Sequence, residues 1–177
     1  MKHRRPGAAL ALAATVLFVA CRRGEPSEDV TPSGDWGRYG DKVRWIDQVV
    51  DGDTAVLDDG TQVRYIGIDA PEGGLRQCGA EQATALNRRL VEGRPVTLRL
   101  DRADTRDRFG RLLAYLEVED RIVNVDLVAS GWACAFPLGR TRRYRAEIAA
   151  AEAAARAARR GVWTGCPTVP RGCPPAE

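Results

Sequence analysis

The chain has 177 residues, 44% hydrophobic and 29% charged, with a formal net charge of +3, which is enough for one domain with a sizeable core. Lys2, Arg4 and Arg5 account for that surplus, residues 1–20 hold no Asp or Glu, and the rest of the chain is balanced, so the overall field gives no reason to expect tight non-specific binding to polyanions. The single histidine, His3, lies in the same N-terminal stretch; once that stretch is removed, Ser-His-Asp and Cys-His nucleophilic catalysis and His-ligated metal sites are excluded, leaving carboxylates, arginines, hydroxyls, cysteines and a bound ion to carry any chemistry.

Residues 1–20 read as an export leader. Lys2, His3, Arg4 and Arg5 are followed by an apolar run from Ala8 to Ala20, which is too short for a comfortable membrane span. The run ends in Phe18-Val19-Ala20-Cys21 and resembles a bacterial lipoprotein cleavage box, in which the cysteine carries the lipid, although Phe18 stands where that pattern prefers Leu. The expectation is an exported chain held at the cell envelope through a lipid on Cys21. Arg22 follows rather than Asp, which points to the outer membrane in a Gram-negative cell; plain secretion is the alternative. Residues 22–40 are polar and rich in Gly, Pro, Ser and Asp, so residues 21–42 are expected to tether the lipid to a domain that begins near Val43.

From Val43 to Val50 the pattern predicts a strand, and from Thr54 to Leu57 a second, turning at Asp58-Asp59-Gly60 into a third over Thr61–Ile68. Ala80, Ala83, Leu86 and Leu90 fall at helical spacing within Gln77–Leu90, with Gly93 beyond the end. Strands are predicted over Pro95–Leu100 and Arg111–Val118, and a short helix over Val123–Ser130. Tyr144, Ile148, Ala151 and Ala155 form the apolar stripe of a helix over Tyr144–Arg160 that Gly161 ends. Three strands, a helix, two strands and two helices fit a mainly β (α+β) fold, a five-stranded OB-type Greek-key barrel with about three helices.

Beyond Cys21, four cysteines remain: Cys78, Cys134, Cys166 and Cys173. An even number in an exported chain suggests two disulfides, with three possible connectivities. Cys166 and Cys173 are close neighbours in a Pro/Gly-rich tail, so the expected pairs are Cys166–Cys173 and Cys78–Cys134, with residues 166–177 as a stapled tail. No CxxC pair supports zinc.

Two segments hold the candidate chemistry. Asp51-Gly52-Asp53-Thr54 starts one strand, and Arg64-Tyr65-Ile66-Gly67-Ile68-Asp69-Ala70-Pro71-Glu72 runs off its hairpin partner. Antiparallel pairing brings Asp53 and Asp69 to one barrel end, where oxygen ligands favour Ca²⁺ or Mg²⁺. Glu72, in the loop just beyond, is placed to act as general base on a water, and Arg64 to offer a phosphate a bidentate fork. The second segment, Asp107-Arg108-Phe109-Gly110-Arg111, opens a strand with Arg111 at the same end. A cation, two arginines and a general base make a phosphodiester-hydrolysing set. Taken singly these are a turn, a solvated strand end and a loop with a helix-starting proline; their joint order carries the reading.

These separated motifs, together with Gly161-Val162-Trp163, resemble the staphylococcal nuclease (thermonuclease) family over roughly residues 43–165. That resemblance implies an OB barrel, bound Ca²⁺, and endonucleolytic cleavage of DNA and RNA to 3′-phosphate ends by a monomer. It assigns Arg64, Glu72 and Arg111 as the catalytic trio, and Asp53, Asp69 and the backbone carbonyl of Ala70 as calcium ligands. Arg108 keeps the charge of a substrate-binding Lys. Phe109 replaces a Tyr that helps hold the nucleotide phosphate, and Ala133-Cys134-Ala135-Phe136-Pro137 lacks the family's tyrosines. Residues 121–177 hold nine basic and four acidic side chains, with Arg140, Arg142, Arg143 and Arg145 clustered, which suits phosphate tracking or a solvated helix face. The competing reading is a non-catalytic OB-fold lipoprotein that binds nucleic acid or protein.

Overall fold

A computed structural model describes residues 34–101, 104–136, 143–167 and Cys173. The leader, Cys21, the tether up to residue 33, Arg140, Arg142 and most of the C-terminal tail lie outside the described residues. Among the described residues no helix is long and apolar enough to cross a membrane.

Six residues expected in the tether form a helix, α1 (Gly34–Tyr39). It belongs to the domain, because Tyr39 is buried and its hydroxyl lies 3.0 Å from Asp59 Oδ2 and 2.8 Å from Thr61 Oγ1. Both Asp35 oxygens accept from Arg106, at 2.7 and 2.9 Å. The domain therefore starts at least nine residues before Val43. Only Trp36 and Tyr39 are apolar among its bulky side chains, and so short a helix shows no readable period.

The barrel is built from β1 (Val43–Val49), β2 (Thr54–Leu57), β3 (Gln62–Tyr65), β5 (Pro95–Arg99) and β6 (Leu112–Val118), ordered β3-β2-β1-β5-β6. Parallel pairing of β3 with β6, Val63 opposite Leu112 and Arg64 opposite Leu113, closes it. This is the expected OB-type barrel. Four α-helices among the described residues accompany it: α1, α2 (Ala80–Val91), α3 (Val123–Ala129) and α4 (Arg145–Ala157). Val63, Val96, Leu98, Leu112 and Leu116 are fully buried inside the closed sheet. Leu112–Leu116 is buried without alternation, because one face of β6 lines the barrel and α3 packs against it.

The strand expected over Thr61–Ile68 breaks at Gly67, which sits at φ +81°, a conformation glycine adopts without penalty. Beyond the break, β4 (Ile68–Asp69) leaves the barrel sheet and pairs with β8 (Cys134–Ala135), Asp69 opposite Cys134. Buried Asn124 on α3 secures the break: its Oδ1 accepts from Leu116 N–H at 3.1 Å and its Nδ2 donates to Ile66 O at 2.9 Å. A two-residue strand, β7 (Arg121–Ile122), extends the hairpin after β6.

Both expected disulfide pairings are exchanged. Cys78 bonds to Cys166 and Cys134 to Cys173, with Cα separations of 5.6 and 5.2 Å. The reason is spatial. The 3₁₀ turn Gly161–Thr164 packs Val162 beside Gly79 and delivers Cys166 next to Cys78. Cys173 instead joins the buried cluster of Cys134, Ala155, Val162 and Trp163. The bridges close loops of 88 and 39 residues, each contributing about 4 kcal/mol in the chain-entropy account.

The turn reaches this position through a crossing of two glycines. Val162 N–H donates to Gly131 O at 2.9 Å, and a Cβ on Gly131 would lie 2.2 Å from Arg160 O. Gly60 has a similar φ of +80° but faces open space. Gly60→Ala is expected to cost about 1 kcal/mol from backbone strain, and Gly131→Ala about 1–3 kcal/mol more from overlap. Denaturant midpoints of the two variants check the difference.

Candidate active site

The hairpin of β2 and β3 places Asp53 and Arg64 together. Thr54 lies opposite Arg64 in the register, and Tyr65 N–H donates to Asp53 O at 2.9 Å. Both side chains are buried. Arg64 Nη2 reaches Asp53 Oδ2 at 3.1 Å and Asp69 Oδ1 at 2.9 Å. Its Nη1 donates to the carbonyls of Tyr65 and Ile68. Arg64 is thus turned inward onto carboxylates rather than displayed as a fork towards solvent.

Both oxygens of Asp53 accept hydrogen bonds. Ala70 N–H donates to its Oδ2 at 2.7 Å and Thr54 Oγ1 to its Oδ1 at 3.1 Å. Burial pushes its carboxyl up to about 7; Arg64 pulls it down, while Asp51 and Asp69 push it further up. Two carboxylates therefore contact one guanidinium at this barrel end, and the Asp51 carboxylate, which accepts Asp53 N–H at 3.0 Å, lies beside them. That excess of negative charge, all of it hard oxygen, fits a divalent cation of the Ca²⁺ or Mg²⁺ type. Among the described residues no three His, Cys, Asp or Glu side chains are grouped to hold a metal ion by themselves. Asp53, Asp69 and the Ala70 carbonyl would hold such an ion together with waters.

The Asp51-Gly52-Asp53 turn has a support that sequence reading missed. Asn87, fully buried on α2, donates to Asp51 O at 2.8 Å and accepts from the Tyr65 hydroxyl at 3.0 Å. Burial raises the Tyr65 pKa, so the phenol stays a donor. Its only sequence signal was a polar residue on the apolar face of a helix. Gly52 is required here, since a Cβ would lie 2.6 Å from Ala70 Cβ and 2.7 Å from Ala83 Cβ.

Glu72 follows two residues after the Ala70 anchor and is exposed. Its N–H donates to Gln77 Oε1 at 2.9 Å. Arg111 stands one residue before β6, on the same face as Leu113, the β3–β6 partner of Arg64. Asp107 aligns it: Oδ2 accepts from Arg111 Nε and lies by Nη2, both at 2.7 Å, and Oδ1 accepts Arg111 N–H at 3.0 Å. Burial of Asp107 opposes ionisation, but the bonds from Arg111 and Phe109 leave its pKa lowered. Phe109 is 68% exposed, and two guanidiniums approach its ring, Arg108 at 4.7 Å and Arg111 at 5.5 Å from the centroid. The structure thus brings Asp53, Arg64 and Asp69 into direct contact, leaves Glu72 on a loop leading from them, and sets Arg111, Arg108 and Phe109 on the adjoining turn.

A family model described as "Staphylococcal nuclease homologue" matches residues 62–165. Endonuclease YncB of Bacillus subtilis is 37% identical over 95 residues, covering 50% of this chain and 45% of that protein. The prophage-derived endonuclease YokF of the same organism is 39% identical over 95 residues, covering 50% of this chain but 32% of its own length. The chain therefore spans less than half of either relative. A thermonuclease of Staphylococcus intermedius is 31% identical over 125 residues, covering 67% of this chain and 74% of that protein.

Two outcomes are expected. Asn87→Leu strands the Tyr65 hydroxyl and the Asp51 carbonyl and should cost about 1–3 kcal/mol in denaturant unfolding; adding Tyr65→Phe should recover part of the loss. A carboxyl raised on folding stabilises fully below its ordinary pKa, and that stabilisation is lost as pH rises through the folded value. With a chelator present, the unfolding midpoint should fall between pH 3.8 and about 7, and Asp53→Asn should flatten that fall.

Proposed function

The chain belongs to the staphylococcal nuclease homologue family, and from that premise we propose that it is a Ca²⁺-dependent endonuclease that hydrolyses DNA and RNA to 3′-phosphate ends. The observation that carries this reading is the joint presence of buried Arg64 clamping Asp53 and Asp69, exposed Glu72, and Arg111 aligned by Asp107. Each residue type has one task in phosphodiester hydrolysis.

Glu72, open to solvent, takes a proton from a water. The water oxygen bonds to phosphorus, and the bond from phosphorus to the 5′ oxygen breaks; that oxygen takes up a proton, and the phosphate stays on the 3′ oxygen. Arg111 donates to the phosphoryl oxygens as negative charge grows there, with Asp107 holding its orientation. Arg64 holds Asp53 and Asp69 side by side and adds a fixed positive charge at this end of the barrel; Asp53, Asp69 and the Ala70 carbonyl would hold the cation. A bound divalent ion supplies further charge neutralisation at the phosphate. Arg108 and Phe109 add a charge and an exposed ring where flanking nucleotides pass. None of these tasks needs an imidazole. We extend the reading to an exported monomer anchored in the envelope through a lipid on Cys21.

Plasmid DNA and RNA are expected to be cut with Ca²⁺ and spared with EGTA, leaving ends that label only after 3′-phosphatase treatment. Glu72→Gln and Arg111→Gly should each lower kcat by about 10²–10⁴-fold. Asp107→Asn should lower it less, because Arg111 remains. Cleavage at wild-type rates by Glu72→Gln would remove Glu72 from the general-base role.

A further inference from the structure

The loop that carries Glu72 is held at its far end by a covalent bond. From Glu72 to Gln77 the backbone folds back on itself: Leu75 and Gln77 N–H groups donate to Glu72 O at 3.2 and 3.3 Å, and Arg76 N–H donates to Gly73 O at 3.0 Å. The Gln77 side chain returns a bond to Glu72 N–H. This ring has no apolar anchor, since Glu72, Gly73, Gly74, Leu75 and Arg76 are all exposed. On one side Ala70 is tied to Asp53. On the other, Cys78 is bonded to Cys166, which sits just past the turn that packs on Gly79.

We propose that the Cys78–Cys166 disulfide positions Glu72 and makes the hydrolytic activity depend on redox state, high when the bridge is closed and low when it is open. The proposal rests on the general-base reading of Glu72. Cys78 and Cys166 act as positioning residues. A dithiol reductant opens the bridge: the S–S bond breaks, two protein thiols form with two protons and two electrons, and the reductant becomes a disulfide. The contacts given above for Asp53, Arg64, Asp107 and Arg111 run through Thr54, Ala70 and the barrel strands. Opening the bridge therefore loosens the base and spares Asp53 and the phosphate arginine. Because Cys166 follows Cys78 by 88 residues, the bridge closes only when nearly the whole domain has been made and has met an oxidising compartment. A chain still in a reducing cytosol would carry a loosely held base.

The test uses the full chain and a fluorescent single-stranded oligonucleotide with Ca²⁺, oxidised and after dithiothreitol, beside the double variant Cys78→Ser/Cys166→Ser. Opening this bridge by either route is expected to lower kcat about 10–100-fold, with KM and the half-saturating Ca²⁺ concentration within twofold. Dithiothreitol added to the double variant opens only Cys134–Cys173 and should change kcat no further. An unchanged kcat in the double variant, or equal losses in kcat and Ca²⁺ affinity, would overturn the proposal. Hydrogen exchange on the same samples reads the clamp without catalysis: amides 73–77 should exchange faster when the bridge opens, while those of β2 and β3 hold. Should the oxidised protein fail to cleave at all, the nuclease reading fails by itself, and unchanged exchange at 73–77 would still refute the clamp. If the double variant does not fold, reduced wild-type protein gives both readouts.

Discussion

A buried guanidinium between two carboxylates is the constraint around which this end of the barrel is organised. Arg64 and Asp53 are both buried, and either one alone would be an uncompensated charge in a poorly solvated place. Together with Asp69 they join β2, β3 and β4 by ion pairs at 2.9 and 3.1 Å. The Ala70 amide and the Thr54 hydroxyl donate to the two oxygens of Asp53. The same bonds that make the arrangement foldable leave it with surplus negative charge, which is what a hard cation requires.

Around that centre the supports are independent of one another. Asn87 reaches across from α2 to hold the Asp51 backbone. Asp107 holds Arg111 through a tight turn before β6. Glu72 alone depends on a loop closed by its own hydrogen bonds and ended by a disulfide. Arg64 and Asp69 are therefore carried on strands and Asp53 and Arg111 on turns next to them, whereas Glu72 is carried on a more exposed segment, where a water can reach it.

Much of the barrel was legible because its strands are short apolar runs bounded by Gly and Asp turns and its helices have clear apolar stripes; β1, β2, β5, β6, α2, α3 and α4 lie within a few residues of their expected limits. The exceptions share a cause. α1 is too short to show a period and is defined by what Tyr39 and Asp35 touch. The separation of β4 from β3 depends on Gly67 and on Asn124, a partner 58 residues from Ile66. Asn87 has no local signature of its role, because the groups it links, the Tyr65 hydroxyl and the Asp51 carbonyl, are 22 and 36 residues away.

Residue types and their order along the chain are local properties, and they were enough to identify an OB barrel, its hairpin of Asp53 and Arg64, and a histidine-free set of Asp, Glu and Arg. What only the tertiary structure decided was which distant groups meet. Arg64 turns inward onto Asp53 and Asp69 because the barrel buries it, and Cys166 bonds to Cys78 rather than to Cys173 because the Gly131–Gly161 crossing delivers the turn beside Gly79. Disulfide partners are chosen by Cα separations of 5–6 Å in the folded chain, a distance that spacing along the sequence does not encode.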